Sequence, residues 1–291
     1  MIPRRRLLRV GGGLLLGGLA PAAYGFAIEP AWRMEVTRYR LSPPGWPAGL
    51  RLRIAVVADL HVGEPYMGLG RIRQIVDTAN DLAPDLTVVL GDYHASHRFI
   101  TRSVSPPDAA AALARLAAPL GRWAILGNHD YWAGAQTWRS ALAAAGVPLL
   151  ENRAVRLAQT GVEFWLAGLA SMLALRIVLP TGRRGFHGLH NLPATLRQVS
   201  DDAPVILLAH EPDIFPDVPA RVALTLAGHT HGGQVRLFGY SPRVPSRFGN
   251  RFAYGHVVED GRHMIVSGGL GISVLPVRLG VPPEILLVEL G

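Results

Sequence analysis

Five times in this chain a short apolar run stops at residues able to hold a cation. Residues 53–58 (RIAVVA) stop at Asp59-Leu60-His61, 86–90 (LTVVL) at Gly91-Asp92, and 123–127 (WAILG) at Asn128-His129. Residues 205–209 (VILLA) stop at His210, and 222–227 (VALTLA) at Gly228-His229-Thr230-His231. Short runs rich in Val, Ile and Leu read as strands buried on both faces. Helical patterns separate the first of them. Ile72, Ile75, Val76, Ala79 and Leu82 share one helix face before Pro84; an Ala/Leu helix is expected over 109–118 and another over 134–145, closed by Gly146. Strand, helix, strand in succession implies parallel pairing. In such sheets ligands sit outside the carboxyl ends of the strands, so five strand ends can converge on one site.

The second half is richer in strands, at about 148–158, 162–168, 204–209, 222–227, 233–238, 252–258, 262–267 and 284–290. The fold class expected is α/β, a four-layer sandwich of two mixed β-sheets flanked by helices. Residues 169–190 fit this rhythm poorly. They combine apolar residues with the basic turn Gly182-Arg183-Arg184-Gly185, which reads as a lid, a membrane-facing loop or an ordinary hydrophobic strand or helix with a solvated turn.

Asp, His and Asn offer hard oxygen and imidazole nitrogen ligands. The chain has no cysteine, which excludes thiolate sites, disulfides and a cysteine nucleophile. The set suits Mn²⁺, Fe or Zn²⁺. Two metals need one carboxylate that touches both. Alternate residues of extended backbone point the same way, so Asp59 with His61, and His229 with His231, can each act from one segment. Glycines 91, 127, 228, 232 and 233 remove side chains where the backbone turns tightly or approaches the ions. His94, His97, His187, His190, His256 and His263 lack this context and read as mostly surface, with His94 or His97 close enough to Asp92 for one to face the site.

The order Asp-x-His, Gly-Asp, Gly-Asn-His-Asp, His, Gly-His-Thr-His resembles the calcineurin-like metallophosphoesterase superfamily over residues 50–290. Tyr24-Gly-Phe-Ala-Ile-Glu29-Pro30, Gly228-His-Thr-His-Gly-Gly-Gln234 and Pro282-Pro283-Glu284-Ile285 are similar to its YaeI/YkuE-type bacterial phosphodiesterase branch. The resemblance implies that Asp59, His61 and His231 hold one metal, that Asn128, His210 and His229 hold a second, and that Asp92 bridges them. His129 is then the catalytic group, beside the phosphate and off the metals. The implied reaction is hydrolysis of a phosphodiester or pyrophosphate by in-line attack of a hydroxide shared by two divalent ions.

The formal charge is +8, and all 29 basic residues are arginine. Arg4, Arg5, Arg6 and Arg9 precede an apolar, Gly-rich run, and no acid occurs before Glu29. This reads as a twin-arginine-type export signal or an N-terminal membrane anchor over 1–28, ahead of a domain over 29–291. The expected location is the bacterial cell envelope, periplasmic or on the outer face of the inner membrane. Leader and basic apolar stretch together favour a lipid-linked or head-group substrate, with UDP-diacylglucosamine-type pyrophosphates a candidate by analogy. No basic stripe with interleaved aromatics appears, so no nucleic-acid partner is expected. The alternatives are a soluble phosphomonoesterase or nuclease on the same site, or a non-catalytic metal-binding module.

Overall fold

Strand runs and helical spacings alternate along the chain, and the fold follows that alternation. The computed structural model describes residues 23–291 apart from Ser96 and Arg98; the arginine cluster and apolar run of the expected leader lie almost wholly in residues 1–22, outside the described residues. In chain order the main elements are β1 (Glu35–Leu41), β2 (Leu52–Val57), α1 (Leu69–Asp81), β3 (Leu86–Val89), α2 (Pro106–Leu113), β4 (Arg122–Ala124) and α3 (Asn128–Ala144). Then come β5 (Arg153–Gln159), β6 (Val162–Gly168), β7 (Leu175–Val178), β8 (Arg184–His187), α4 (Leu192–Leu196), β9 (Val205–Leu208), β10 (Val222–Ala227), β11 (Gly255–Glu259), β12 (Arg262–Val266) and β13 (Glu284–Leu290).

Two mixed sheets result. The first has the order β1-β13-β2-β3-β4 and the second β11-β12-β10-β9-β6-β5. In the first, β2, β3 and β4 run parallel, while β13 is antiparallel to β2 and parallel to β1. In the second, β6, β9, β10 and β12 are parallel, and the edge strands β5 and β11 are antiparallel to their neighbours. Ile54, Val56, Val88 and Leu286 of the first sheet meet Phe164, Leu166, Leu208 and Leu224 of the second in the central core. The other face of the first sheet carries Ala55, Val57 and Val89 against Ile72 and Ile75 of α1, Leu113 of α2 and Trp138 of α3. The outer face of the second sheet packs Ala167, Leu207 and Met264 against Leu192, Phe215 and Phe252, which come from short helical turns. This is the expected four-layer sandwich, with a thin fourth layer. Both faces of the central strands are covered, which is why their sequences do not alternate.

Several expectations need correction. Residues 233–238 form no strand. A 3-10 turn at His231–Gly233 is followed only by isolated bridges, Val235 to Leu279 and Leu237 to Tyr240. The helix expected from 109 begins at Pro106, because the Ser105 hydroxyl caps it by accepting from the Asp108 N–H at 3.2 Å. Proline is tolerated in that first turn, where no N–H partner is needed. The helix expected from 134 begins at Asn128 and is kinked at Gly134 (φ 120°, ψ 83°). Residues 175–187 form the β7–β8 hairpin, paired from Arg184–Val178 to His187–Leu175, with Leu175, Val178, Leu179 and Phe186 exposed. Among the described residues no helix is long and apolar enough to cross a membrane. Residues 24–28 form a helical turn against the domain, where Gly25 accepts from the Arg278 N–H at 2.9 Å.

Candidate metal centre

The chain turns sharply wherever a strand meets the site. Asp59 (φ 54°), His61 (46°), Asp92 (54°), His229 (70°) and His231 (51°) all have left-handed backbone. That conformation costs an L-residue about 1–2 kcal/mol each. The extended geometry expected for Asp59/His61 and His229/His231 is therefore wrong; tight turns, not strand pleat, bring these side chains together. Backbone bonds hold the turns, with Asp59 N–H donating to Gly91 O (3.1 Å), His61 N–H to Asp92 O (2.9 Å) and Gly271 N–H to Asp59 O (2.7 Å). Close approach needs bare glycines. A Cβ on Gly127 would lie 2.2 Å from Asp92 Oδ1, and one on Gly228 would lie 2.6 Å from Asp59 Oδ2.

Two buried groups of donors result, Asp59/His61/His231 and Asp92/His210/His229, each with its ligand atoms within 4.8 Å of one another. Asp92 Oδ2 stands between them, 3.6 Å from His61 Nε2 and 3.2 Å from His210 Nε2. Asn128 joins the second group, its Oδ1 3.1 Å from His210 Nε2. His129 sits at the rim. Its backbone N–H donates to Asp92 Oδ1 at 2.8 Å, and its ring Nε2 is 3.9 Å from Asp92 Oδ2. All eight predicted residues are thus in one place.

The hydrogen-bond pattern leaves this cluster short of positive charge. His210 Nδ1 donates to Leu90 O at 2.7 Å, so its Nε2 is the atom turned toward Asn128 Oδ1 and Asp92 Oδ2. His61 Nδ1 donates to His94 O at 2.8 Å, which directs its Nε2 lone pair at Asp92 and at His231 Nε2, 3.1 Å away. Both ring nitrogens of buried His229 lack a partner among the described residues. Acceptors packed this closely call for cations between them. Oxygen and imidazole donors without thiolate fit two divalent ions.

Burial shifts most of these groups toward their neutral forms, while Asp92 and His210 hold each other charged. Burial pushes the Asp59 carboxyl up to about 7 and the His61 imidazole down to about 3. Burial also opposes charge on Asp92, yet His210, His129 and His61 draw its carboxyl well below the usual range. In return, and against burial, Asp92 with Glu211 and Asp59 holds His210 well above an ordinary imidazole. Burial keeps His129, His229 and His231 on the neutral side.

Four supporting residues escaped the sequence reading. Asp130 accepts three backbone N–H groups at 2.9 Å each, from Asp92, His94 and Gly127, and so ties the loop after β3 to the start of α3. It occupies the third position of α3, where an acid reaches back to the N-terminal N–H; that was its available signal. Arg278 is fully buried, donates to Gly271 O, Gly268 O and Val281 O at 2.9 Å each, and lies 3.2 Å from His231 Nδ1. Its isolation in the apolar stretch 264–283 was the clue. Glu211 is buried and accepts from Met172 N–H at 2.9 Å, anchoring the base of the hairpin. Trp132 packs on His129 (4.8 Å between centroids), donates to Leu173 O at 2.9 Å, and lies under Arg176 (3.9 Å) and Phe186 (5.5 Å) of the hairpin. Of the histidines read as surface, His94 joins the site through its backbone, and His97 is buried.

The calcineurin-like phosphoesterase family pattern matches residues 52–233. Uncharacterized metallophosphoesterase YkuE of Bacillus subtilis is 31% identical, covering 99% of this chain and 97% of its own length. Phosphodiesterase YaeI of Escherichia coli is 28% identical over the full length of both chains. Among solved structures, a putative 5′-nucleotidase from Staphylococcus aureus aligns with 76% of this chain at TM-score 0.49 and 14% identity. The present chain spans 49% of that structure's length.

Proposed function

The chain belongs to the calcineurin-like phosphoesterase family and is a metal-dependent phosphoric ester hydrolase, and on that premise we propose that it cleaves a phosphodiester or pyrophosphate bond of a lipid-linked or head-group substrate at a membrane. The observation that carries the two-metal part is Asp92 Oδ2, placed within 3.6 Å of a histidine from each donor group. In this reading Asp59, His61 and His231 hold one ion, Asn128, His210 and His229 hold the other, and Asp92 serves both. Bound divalent ions would supply Lewis-acid stabilisation of the phosphoryl oxygens and lower the pKa of the attacking water. His129, off the ligand set and with its side chain 12% exposed at the rim, presents its ring to the phosphoryl group and donates to a developing oxyanion or to the leaving oxygen. The left-handed turns and the Asp130 and Arg278 bonds hold the donors in place before substrate arrives.

The lipid part rests on the hairpin. No acid occurs from 164 to 200, and Arg176, Arg183 and Arg184 stand beside exposed Val178, Leu179 and Phe186. Arg176 and Phe186 close over Trp132, and Trp132 over His129, so the hairpin forms one wall of the reaction site. An anionic head group with an acyl neighbour suits such a wall. The Arg-rich leader supports export to the cell envelope as part of the same proposal.

The test is a panel of phosphomonoesters, phosphodiesters, nucleoside-diphospho-lipids and glycerophospholipids, assayed with Mn²⁺ and with EDTA. The expected result is EDTA-abolished hydrolysis with a lipid-bearing diester or pyrophosphate preferred. A preference for soluble monoesters, or turnover that survives EDTA, overturns the reading. Arg176→Ala should raise KM for the preferred lipid substrate about threefold to tenfold, the size of a partly desolvated cation–π contact. Metal content and kcat on a small chromogenic diester should hold. An unchanged KM removes the hairpin from substrate recognition.

A further inference from the structure

A second apolar surface lies on the other side of the site, and hydrolysis does not explain it. Phe238 is fully exposed, and Tyr240, Val274, Leu275 and Leu237 are each about half exposed or more. Leu237 and Tyr240 bond to each other in both directions at 2.9 Å, with Phe238 (φ 51°) and Gly239 (φ 81°) forming the two-residue turn between them. Such turns favour Asn, Asp or Gly at both central positions. A phenylalanine held left-handed at the tip, with nothing to pack on, is poor turn chemistry. Val274 (φ 62°) repeats the anomaly with a β-branched residue. Strain of this kind persists where it presents a side chain for use.

These segments form one face. Gln234 Nε2 donates to Leu275 O at 3.0 Å, Leu279 N–H to Gln234 O at 2.8 Å, and Arg278 N–H to Gly25 O at 2.9 Å. Phe26 and Ile28, next along from Gly25, are exposed as well. The sequence has no acid over 1–28, 218–258 or 261–283. Glu29, the one carboxylate nearby on the leading turn, is buried, bonded to the N–H groups of Gly280 (3.2 Å) and Val281 (2.9 Å). Exposed Arg243 and half-buried Arg236 leave the surroundings positive. The described chain begins at Ala23, two residues before Gly25, and in the sequence an apolar run preceded by arginines leads into it.

We infer that this face, centred on Phe238, Tyr240 and Leu275, docks on an anionic lipid bilayer. Aromatic and aliphatic side chains on turns, without carboxylates and with arginines at the margin, are what a membrane interface takes up. The face adjoins His231 through Gln234 and Arg278, so docking would set the Asp59/His61/His231 side of the centre near the head groups. The inference rests on the membrane part of the function proposed above and is independent of the phosphoesterase part.

The absence of cysteine makes the test clean. Full-length Phe238→Cys, Leu275→Cys and, as control, Thr160→Cys are each labelled with an environment-sensitive dye. Thr160 is exposed in the β5–β6 turn at the opposite end of the strands. Each protein is mixed with phosphatidylcholine vesicles with and without phosphatidylglycerol. The expected result is a blue shift and quenching by nitroxide lipids at 238 and 275, stronger with phosphatidylglycerol, and no change at 160. Protein that sediments with vesicles yet shows no shift at 238 overturns the inference. A dye at 238 that is already shielded before lipid is added also overturns it, because a second copy or the chain's own leading segment then covers the face. Equal shifts at 160 and 238 do the same. Hydrolysis of a soluble chromogenic diester by the labelled proteins reports fold and the phosphoesterase reading separately.

Discussion

Asp92→Asn should lower kcat/KM on a phosphodiester by about a thousandfold, as expected when several kcal/mol of metal-centred stabilisation are lost, and should leave fewer than two metal ions bound per chain. The side chain keeps its size, so the fold has no packing reason to change. What changes is charge and donor character. Asp92 Oδ2 faces His61 Nε2 at 3.6 Å and His210 Nε2 at 3.2 Å, while Oδ1 accepts from the His129 N–H at 2.8 Å. The amide must keep an oxygen toward His129, so its NH₂ turns toward His61 Nε2 and His210 Nε2, where two divalent ions would need an oxygen donor. Elemental analysis of purified protein, with kinetics at saturating Mn²⁺, checks this. Full activity with two metals bound would remove Asp92 from the centre.

Asp130→Ala should destabilise the protein by about 3–5 kcal/mol, because it strands three buried N–H donors, each worth about 1–3 kcal/mol when unmet. That is a large share of the roughly 5–15 kcal/mol that holds an ordinary domain together. Metal affinity should fall about tenfold to a hundredfold as well, the usual result of losing a residue that orients ligands. Urea unfolding with metal and with EDTA separates the two effects. A loss under about 1 kcal/mol would mean that the loop after β3 is held to the start of α3 by something else. Asp130→Asn should fall between, since it keeps one oxygen acceptor.

The sequence carried the site better than its supports, for a physical reason. A parallel strand buried on both faces must be apolar throughout, so RIAVVA, LTVVL and VILLA stand out, and the first polar residue after each is conspicuous. What the turn does next is not written locally. Asp59 and His229 look like residues continuing a strand, yet their left-handed turns are held by distant partners, the Gly91 carbonyl for the Asp59 N–H and the Asp59 carboxylate for the His229 N–H. Arg278 and Asp130 were missed likewise: each acts through groups that only the tertiary fold brings near. Residues 233–238 misled in the other direction. Val235 and Leu237 alternate like a strand, but glycines at 232, 233 and 239 have positive φ and turn the chain. The helix over 134–145 was legible, whereas its start at Asn128 was hidden by the kink at Gly134.

Strand β13 lies between β1 and β2, paired with β1 from Glu35–Glu284 to Leu41–Leu290. Its side chains Leu286 and Val288 belong to the core between the sheets. The position next to the edge of the first sheet, between β1 and β2, is thus filled by residues synthesised after the entire metal site. Whatever the ribosome has made before residue 284 has two open strand edges and a core with a slot in it, and such edges invite aggregation. The order of synthesis therefore places the closing of the first sheet last, after all five ligand-bearing loops have been made.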